Sequence, residues 1–399
     1  MFREKTKLDT IKPYSKNAKK HPLKQVKQVA ESIKAFGFNQ PIVVDKDGVI
    51  IVGHGRYEAA KLLGMTEVPT LLVDLTEDQA KAYRLADNKL NESEWEMILV
   101  IEELKGLSEP MLELTGFDKD LIIEGNEADD EIPSITQEPQ SKLGDLYELG
   151  QHRVLCGDSL TMDDVVKLTQ GQNADVVVTD PPYNTGMQGK PNDEKARLSH
   201  MFNDKIENWP QFIKDFLASF VAFTKPECVF YVFIDWRRVN DIRSEMEKLM
   251  DVKNVIVWDK KVHGLGSDYK STYELCIVGK KGNPEINNRF GLDYQDIWRL
   301  QRTIGRNKEH ATAKPVELLE KPIIHASKKG DIVLDLFLGS GSTLIASQKT
   351  GRICYGMELD PKYVDVIVER YVNYSGNGKI KKNGKEIVWQ STKMEALQN

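Results

Sequence analysis

From about residue 142 onward, the chain alternates short runs of branched apolar residues with stretches that have the apolar spacing of helices. Strands that alternate with helices are typical of a largely parallel sheet, because each helix carries the chain back to the start of the next strand. We predict strands at residues 153–156, 175–179, 229–234, 255–259, 273–279, 331–336 and 352–358. The alternation predicts an α/β fold with a doubly wound, mainly parallel sheet.

The strands predicted at 255–259 and 273–279 are joined by the segment KVHGLGSDYKST, which contains glycines and basic residues. This segment is too short for a crossover helix and its loops, so we expect the two strands to pair antiparallel. We place the pair at an edge of the sheet, which makes the sheet mixed.

The strand at 175–179 runs into the sequence VVVTDPPY, whose valines form a continuous apolar run. Proline has no backbone N–H and cannot continue a ladder, so the strand must stop at Asp180. Open parallel sheets bind their ligands at the carboxyl ends of the strands. The alternative is that the prolines only end the strand and Asp180 only caps a turn. The candidate site residues here are Asp180, Pro181, Pro182 and Tyr183.

A second candidate site lies in the sequence DIVLDLFLGSGSTLIASQ. Gly339 and Gly341 allow positive φ and a close approach of the backbone to a ligand, while Ser342 or Thr343 can cap the helix that follows. Glu358 ends the next strand, where its carboxylate can accept hydrogen bonds from both hydroxyls of a ribose. These features predict the nucleoside-binding half of a doubly wound sheet.

The glycine loop lacks the Lys-Ser or Lys-Thr pair of a Walker phosphate loop, and it lacks the full spacing of a dinucleotide loop. A nucleoside without a pyrophosphate fits better, and S-adenosylmethionine is the commonest cofactor of that kind. The alternative is that the glycines only allow a tight turn from strand to helix.

DPPY, followed later in the chain by DLFLGSGST, resembles the beta group of amino-methyltransferases, which act on exocyclic amines of DNA bases. The segments VLCGDSL, VIVWDKKVHGLGSDYKSTYELCIVGKK and HATAKPVELLEKPI resemble further segments of that group in the same order. The resemblance covers roughly residues 142–375. Ala311 and Ala313 depart from it, because the family more often has a proline and a polar residue there. The resemblance implies a Rossmann-like, S-adenosylmethionine-dependent methyltransferase domain over residues 142–399.

The chemistry of the implied reaction suits the DPPY residues. An exocyclic amine is a poor nucleophile because its lone pair is delocalised into the ring of the base. Asp180 and the carbonyl of Pro181 can accept the two N–H groups of the amine, and Tyr183 offers a ring face to a base flipped out of the duplex.

Residues near the glycine loop are implied to hold the cofactor. Asp158 is otherwise an ordinary turn residue, and Lys314 before a proline is otherwise an ordinary helix boundary. The resemblance implies cofactor contacts from Asp158, Lys314, Asp335, Phe337, Gly339, Ser340, Gly341, Ser342 and Glu358.

Most of residues 7–92 resemble the N-terminal domain of ParB and sulfiredoxin-like proteins, which implies that residues 1–125 form a smaller α+β domain. Its segment GHGRYEAA stands where partition proteins carry a glycine-glutamate-arginine-arginine box that opens a helix. That helix start implies a nucleoside triphosphate site. The residues implied are Gly53, His54, Gly55, Arg56 and Asn88.

Two departures from that family limit the chemistry of the domain. It has no cysteine, which excludes sulfiredoxin chemistry, and His54 and Gly55 replace the acid and the first arginine, which argues against nucleotide hydrolysis. The alternative is that the domain serves only for docking or DNA contact.

The segment 126–141 loses periodicity and gathers acids and prolines, which is typical of a linker between domains 1–125 and 142–399. Before it, the apolar spacing of SEWEMILVIEELKGL predicts a helix.

The 399-residue chain has a formal net charge of −6, so only local basic patches can attract DNA. Basic residues gather in DWRRVN, WDKKVHG, GKKGN and RLQRTIGRNKEH, and we expect them to contact phosphates rather than form a merely solvated surface. The four cysteines are expected to be buried free thiols, and no Cys/His cluster has metal-ligand spacing. We find no apolar run typical of a membrane span or signal peptide, and expect a soluble cytoplasmic protein.

Taken together, the sequence predicts a site-specific methyltransferase that moves a methyl group from S-adenosylmethionine to adenine N6 in double-stranded DNA by base flipping. Methylation of cytosine N4 shares the chemistry and is the first alternative, although Asp at the start of the tetrapeptide favours adenine within the family. A non-catalytic, nucleotide-gated DNA-binding protein is the second alternative. The sequence is compatible with a homodimer.

Overall fold

The structure is a computed structural model that divides into two compact units, Met1–Ile122 and Ile123–Asn399. The residues that it describes are 4–15, 17, 21–90, 100, 103–104, 106–117, 129–136, 138–185, 206–261, 269–284, 286, 295–300 and 313–389. Ten of the fifteen residues of SEWEMILVIEELKGL, where a helix is predicted, lie outside these residues.

The first unit is a small sheet with helices, as predicted. Its strands are β1 (Glu4–Lys7), β2 (Ile42–Val44), β3 (Ile50–Val52) and β4 (Glu67–Leu72). Its helices include α1 (Leu23–Phe36), α2 (His54–Leu62), α3 (Glu77–Leu90), α4 (Glu109–Thr115) and a short 3-10 helix (Leu8–Thr10). The strand order is β1-β4-β2-β3, with β2 parallel to β4 and antiparallel to β3.

The turn from β3 into α2 depends on one glycine. Gly53 has φ of 104° at the N-cap of α2, in the left-handed region that favours glycine. Ile42 and Ile50 on the sheet and Ala59 and Ala60 on α2 are completely buried. The start of α2 is therefore fixed against the core of the first unit.

The second unit contains a large mixed sheet. Within the described residues its strand order is β11-β9-β10-β8-β7-β12-β13-β6-β5-β14-β15. The strands are β5 (Leu146–Leu149), β6 (His152–Cys156), β7 (Ala174–Thr179), β8 (Thr224–Ile234), β9 (Asp251–Asp259), β10 (Tyr273–Lys281), β11 (Ile297–Arg299), β12 (Ile332–Asp335), β13 (Ile353–Glu358), β14 (Lys379–Lys382) and β15 (Lys385–Val388).

The centre of this sheet is parallel, which confirms the predicted fold class. Strands β8, β7, β12, β13 and β6 follow one another in parallel pairs. The antiparallel pairing of β9 with β10 is also confirmed. Its predicted place at the edge was wrong, because β11 lies outside β9 and runs parallel to it. A strand of three residues is too short to show a period in the sequence.

Helices cover both faces of the central strands. They are α5 (Met162–Thr169), α6 (Trp209–Ala222), α7 (Val239–Met246), α8 (Val316–Ala326), α9 (Ser342–Lys349) and α10 (Pro361–Ser375). Val176 and Val178 pack into the core on one face, and Val177 packs into the core on the other. All three are completely buried, as expected for a strand with helices on both sides.

Part of the predicted linker is held by the second unit rather than hanging free. Asp129 is 8% exposed and Ser141 is 2% exposed. The carboxylate of Asp129 lies 2.8 Å from Lys349 Nζ, and the backbone N–H of Ser141 donates to Asp365 at 3.0 Å. The segment therefore contributes polar contacts to the fold that follows it.

The four cysteines are free and buried, as predicted. In the part of the chain that the structure describes, no helix is long and apolar enough to cross a membrane.

Candidate active site

Four neighbouring parallel strands bring the predicted site residues to one edge of the sheet. Asp180 follows β7, the glycine loop follows β12, Glu358 ends β13, and Asp158 follows β6. In the sheet order these strands are consecutive, and parallel strands end at the same edge. The backbone N–H of Gly157 donates to the carbonyl of Glu358 at 3.0 Å, which joins the ends of β6 and β13.

One hydrogen bond joins the first and last residues of the DPPY tetrapeptide. Strand β7 ends at Thr179, as predicted from the prolines, and Pro181 is buried directly after it. The Tyr183 hydroxyl donates to Asp180 Oδ1 at 2.6 Å, and the Tyr183 ring packs against the core. The side chain of Asp180 is 33% exposed, so its carboxylate still reaches solvent.

A buried ammonium lies behind the tetrapeptide. Lys314 Nζ lies 2.5 Å from Asp180 Oδ2, 3.2 Å from Glu274 Oε2 and 3.0 Å from the Tyr183 hydroxyl. Its side chain is only 5% exposed. A second lysine, Lys260, lies 3.2 Å from Glu274 Oε1. The structure thus places Lys314 beside the tetrapeptide, in a cluster of two carboxylates and two ammonium groups.

Charge pairing dominates the electrostatics of this cluster. Burial by itself raises the pKa of Glu274, but the charges of Lys314 and Lys260 outweigh it and lower the pKa to about 2. Burial lowers the pKa of Lys314, but Asp180 and Glu274 reverse this and hold it above its usual value. Burial, together with the same two carboxylates, raises the pKa of the Tyr183 phenol well above its usual range. At neutral pH Glu274 and Lys314 are therefore both ionised.

Glu274 was missed by the sequence reasoning, and Lys260 was expected, as part of WDKKVHG, to contact phosphates rather than a carboxylate inside the protein. Glu274 stands in β10 between a tyrosine and a run of apolar residues, and an acid inside such a strand is a weak signal of a buried partner. The contact with Tyr183 spans 91 residues of chain. Only the fold brings these side chains together.

The glycine loop has the predicted backbone. Gly339 has φ of 56° and Gly341 has φ of 85°. A side chain placed at Gly339 would meet no atom of the described residues within 4 Å, so the backbone there borders open space in this part of the structure. The N–H of Gly339 donates to Glu358 Oε2 at 2.9 Å, and the N–H of Asp360 donates to Glu358 Oε1 at 3.0 Å. Burial raises the pKa of Glu358 to about 7 despite these hydrogen bonds.

Asp335 supports the loop from beneath. Its side chain is 2% exposed and accepts hydrogen bonds from Thr179 Oγ1 at 2.7 Å and from Thr343 Oγ1 at 2.6 Å. The N–H of Phe337 donates to the same carboxylate at 3.1 Å. Burial raises the pKa of Asp335 to about 6. These bonds join β7, the glycine loop and α9.

The predicted side-chain cap of α9 was wrong. Gly341 occupies the N-cap position in the left-handed conformation, and neither Ser342 nor Thr343 caps the helix with its side chain. Thr343 turns to Asp335 instead, and Ser342 Oγ lies 3.1 Å from Arg370 Nη1. The glycine takes the N-cap position, so both hydroxyls point to tertiary partners.

Arg370 of α10 is a second support that the sequence did not reveal. Its guanidinium is 3% exposed and donates to the carbonyl of Ser340 and to the carbonyl of Asp129, each at 2.9 Å. Burial lowers the pKa of Arg370 to about 10. Phe337 packs in an aromatic group with Phe212, Phe216 and Phe220. Arg370 and the aromatic group around Phe337 therefore both support the glycine loop.

Asp158 shapes the turn after β6. Its Oδ1 accepts the N–H of Leu160 at 2.9 Å, and its own N–H donates to Asp164 at 2.9 Å. The side chain is half-buried and lies two residues beyond the strand that neighbours Glu358. Asp158 therefore shapes the turn after β6 and also lies at the edge of the sheet where β7, β12 and β13 end.

In the first unit, the predicted nucleotide residues lie at the start of α2. His54 Nε2 accepts the N–H of Tyr14 at 3.2 Å, and burial lowers the pKa of His54 to about 4. A side chain at Gly55 would approach His21 to 3.2 Å. Arg56 lies against Gly53 and donates to Gln40 at 2.5 Å. Asn88 belongs to α3, and its side chain is outside the described part of the chain.

Several basic residues predicted to contact DNA have partners inside the protein. Arg237 pairs with Asp235 at 2.8 Å, and Arg238 donates to the carbonyl of Asn184 at 2.9 Å. Lys281 donates to the carbonyl of Val221 at 2.8 Å. The basic residues of RLQRTIGRNKEH from position 301 onward lie outside the described residues. The internal contacts reduce the basic surface that the sequence implied.

Comparisons with known proteins give two matches along the chain. Residues 174–369 match the N6/N4 methyltransferase family model, described as DNA methylase, and residues 4–89 match the ParB N-terminal domain model. The chain is 45% identical over 73 residues to ParB-like nuclease domain-containing protein YnaK of Escherichia coli (strain K12), covering 18% of this chain and 84% of YnaK.

Two methyltransferases are similar to the second part. Type II methyltransferase M.HpaI of Haemophilus parainfluenzae is 25% identical over 242 residues, which cover 55% of this chain and 73% of M.HpaI. DNA adenine methyltransferase YhdJ of Escherichia coli (strain K12) is 26% identical over 256 residues, which cover 54% of this chain and 81% of YhdJ.

Proposed function

We propose that this chain, a DNA methyltransferase of the N6/N4 family fused to a ParB N-terminal domain, methylates adenine N6 in duplex DNA with S-adenosylmethionine as methyl donor. One observation carries the proposal: the exposed face of Asp180 and the open backbone at Gly339 lie at the same edge of the sheet, on neighbouring strands. The substrate amine and the cofactor can therefore meet there.

The residues around the glycine loop fit a nucleoside cofactor. Gly339 borders open space, and the half-buried carboxylate of Glu358 stands beside it at the end of β13. We assign Glu358 to the ribose hydroxyls and the turn at Asp158 to the adenine side of the cofactor. Asp335 and Arg370 hold the shape of the loop from below. When bound, the cofactor supplies an electrophilic methyl group.

The tetrapeptide residues orient the amine. Asp180 accepts one N–H and the carbonyl of Pro181 accepts the other, which favours a pyramidal nitrogen with a localised lone pair. Tyr183 stacks on the flipped base through its ring, since its hydroxyl is held inside the protein. Orientation of the two reactants supplies most of the rate enhancement.

Two observations favour adenine over cytosine. The tetrapeptide begins with Asp180, which within the resembled family favours N6 methylation of adenine. YhdJ, which is similar over more than half of this chain, is named as a DNA adenine methyltransferase. Mass analysis of DNA digested after reaction with labelled cofactor decides the base. We expect label in N6-methyladenine; label in N4-methylcytosine would establish the alternative.

A non-catalytic DNA-binding protein is distinguished by calorimetry. We expect S-adenosylmethionine to bind the full chain in a one-to-one ratio. A chain that binds duplex DNA but neither binds nor consumes the cofactor would contradict the proposed methyltransferase activity. It would support the alternative of a non-catalytic DNA-binding protein.

For the first unit, we propose weak nucleoside triphosphate binding without turnover. Arg56 lies beside Gly53 at the N-terminus of α2, where free amides and a guanidinium together suit phosphate. His54 stands where the resembled family has an acid, and its low pKa keeps it neutral at pH 7. Arg56→Ala should abolish binding of a nucleoside triphosphate measured by calorimetry. Rapid hydrolysis by the wild type, or no binding at millimolar concentration, would contradict the proposal.

A further inference from the structure

The hydroxyl of Tyr183 has two acceptors and one proton. It lies 2.6 Å from Asp180 Oδ1 and 3.1 Å from Glu274 Oε2, and it accepts from Lys314 Nζ at 3.0 Å. A phenol carries a single O–H, so it donates to one carboxylate at a time. The cluster therefore has two hydrogen-bond arrangements that differ in the direction of one hydroxyl.

Lys314 contacts all three groups and can donate to them in both arrangements. An ammonium has three N–H donors, and Lys314 has three acceptors around it: Asp180, Glu274 and Tyr183. Lys260 pairs with the other oxygen of Glu274 at 3.2 Å and keeps that carboxylate charged. Turning the Tyr183 hydroxyl thus requires no movement of Lys314 or Glu274, while Asp180 Oδ1, which lies 2.6 Å from the phenol oxygen, moves away from it once the proton between them is gone.

The two arrangements leave Asp180 with different strengths as an acceptor. Each hydrogen bond that a carboxylate accepts disperses part of its charge and lowers its basicity. With the hydroxyl on Asp180, the oxygen nearest Tyr183 is already occupied. With the hydroxyl on Glu274, Asp180 keeps only Lys314 among these partners and attracts an amine N–H more strongly.

We propose that Glu274 is a positioning residue that accepts the Tyr183 hydroxyl when the target amine binds, and thereby frees Asp180 to hold the amine. This inference rests on the proposed methyl transfer. Glu274 acts through Tyr183 and Lys314, and it needs no contact with base or cofactor. No covalent bond changes in the step, because the hydroxyl keeps its proton and only changes its acceptor.

The test uses the full chain and two variants of Glu274. Glu274→Gln leaves one acceptor oxygen for two lysines and a hydroxyl, so the hydroxyl stays on Asp180. Glu274→Asp keeps the charge that compensates the lysines, but its carboxylate is drawn back from Tyr183. We expect kcat for DNA methylation to fall roughly 10- to 100-fold in each, as for loss of one charged hydrogen bond. Cofactor affinity by calorimetry should not change.

Removal of the hydroxyl provides the decisive readout. Tyr183→Phe keeps the ring and takes away the group that competes for Asp180. Adding Tyr183→Phe to either Glu274 variant should restore part of the lost kcat, because the hydroxyl can no longer occupy Asp180. A merely structural role of Glu274 predicts no such rescue, since a second change in the same cluster would then lower activity further.

The possible results distinguish failure of this inference from failure of the proposed function. Glu247→Gln, on the surface and paired with Arg243 at 2.8 Å, is the matched control and should match the wild type. Full activity of both Glu274 variants, or no rescue by Tyr183→Phe, would overturn the inference while leaving the methyltransferase proposal intact. If Glu274→Gln does not fold, the result with Glu274→Asp decides. A wild type that methylates neither adenine nor cytosine would remove the proposed function and this inference together.

Discussion

At the level of single residues, Asp180 should affect turnover and not cofactor binding. Its carboxylate meets Tyr183 and Lys314 rather than the glycine loop. We expect Asp180→Ala to lower kcat at least about 100-fold, because the amine loses its orientation. Calorimetry should show unchanged affinity for S-adenosylmethionine. The exposed change Asp251→Asn serves as control, and a parallel loss of cofactor binding in Asp180→Ala would show that its role is misassigned.

Glu358 should have the opposite profile. Replacing it with Ala removes the acceptor that we assign to the ribose, and we expect the cofactor to bind more weakly by about 1–3 kcal/mol. The comparison is the dissociation constant of S-adenosylmethionine in the wild type and in Glu358→Ala at pH 8. An unchanged constant would argue against the ribose contact.

The pH dependence of cofactor binding follows from the same residue. Because burial raises the pKa of Glu358 to about 7, the carboxyl is largely protonated at pH 6 and largely ionised at pH 8. The ionised form is the better acceptor for two hydroxyls, so affinity should fall as the pH drops through 7. Titration calorimetry from pH 6 to 8 tests this. Glu358→Ala should lose the dependence, and a flat wild-type profile would contradict it.

The sequence reached some site residues and not others for a physical reason. Asp180 and Glu358 stand at strand ends, and Gly339 marks a turn with positive φ, so local patterns reveal them. Glu274 and Arg370 lie inside regular elements, and their functional contacts come from chain segments far away. The sequence pattern around these residues therefore does not reveal their contacts with distant segments.

At the level of elements, helix α8 is capped by a distant residue. Pro315 stands at its N-cap position and offers no side-chain acceptor, while Asp130 Oδ1 accepts the N–H of Val316 at 2.8 Å. We expect Asp130→Ala to lower the free energy of unfolding by about 1 kcal/mol, the usual cost of losing a cap. Chemical denaturation measures this, with the exposed acid Glu138 changed to Ala as control. Equal losses in the two variants would refute the cap.

The predicted strands agree with the structure closely in the parallel centre of the sheet, since buried strands with helices on both faces read as continuous apolar runs. The edges were predicted less well. Strands β5, β14 and β15 have only four residues each, and mixed polar sequences such as KIKK give no clear alternation. Their pairing with one another and with β6 comes from tertiary structure.

At the level of the whole molecule, residues 129–141 contribute to the stability of the second unit. Asp129, Asp130 and Ser141 contact Lys349, Val316 and Asp365. We expect a chain of residues 142–399 to be less stable than a chain of residues 123–399 by about 2–4 kcal/mol, since several buried polar groups lose their partners. It should also bind S-adenosylmethionine more weakly, because Arg370 loses the Asp129 carbonyl.

Denaturant titration and calorimetry on the two truncated chains check both expectations. The full chain is the reference, and residues 123–399 should resemble it in cofactor affinity. Equal stability of the two truncated chains would mean that the contacts of residues 129–141 contribute nothing.

The charge cluster behind Asp180 also restricts how this enzyme can evolve. Its two carboxylates and two ammonium groups balance, and the side chains of Lys260 and Lys314 are 9% and 5% exposed. Losing any one partner leaves an unpaired charge where water has little access. This lowers the stability of the fold, even where replacing a complete pair does not. Descendants of this sequence should therefore change Glu274 and a lysine together. A lineage that gives up one alone would first have to acquire a compensating substitution nearby.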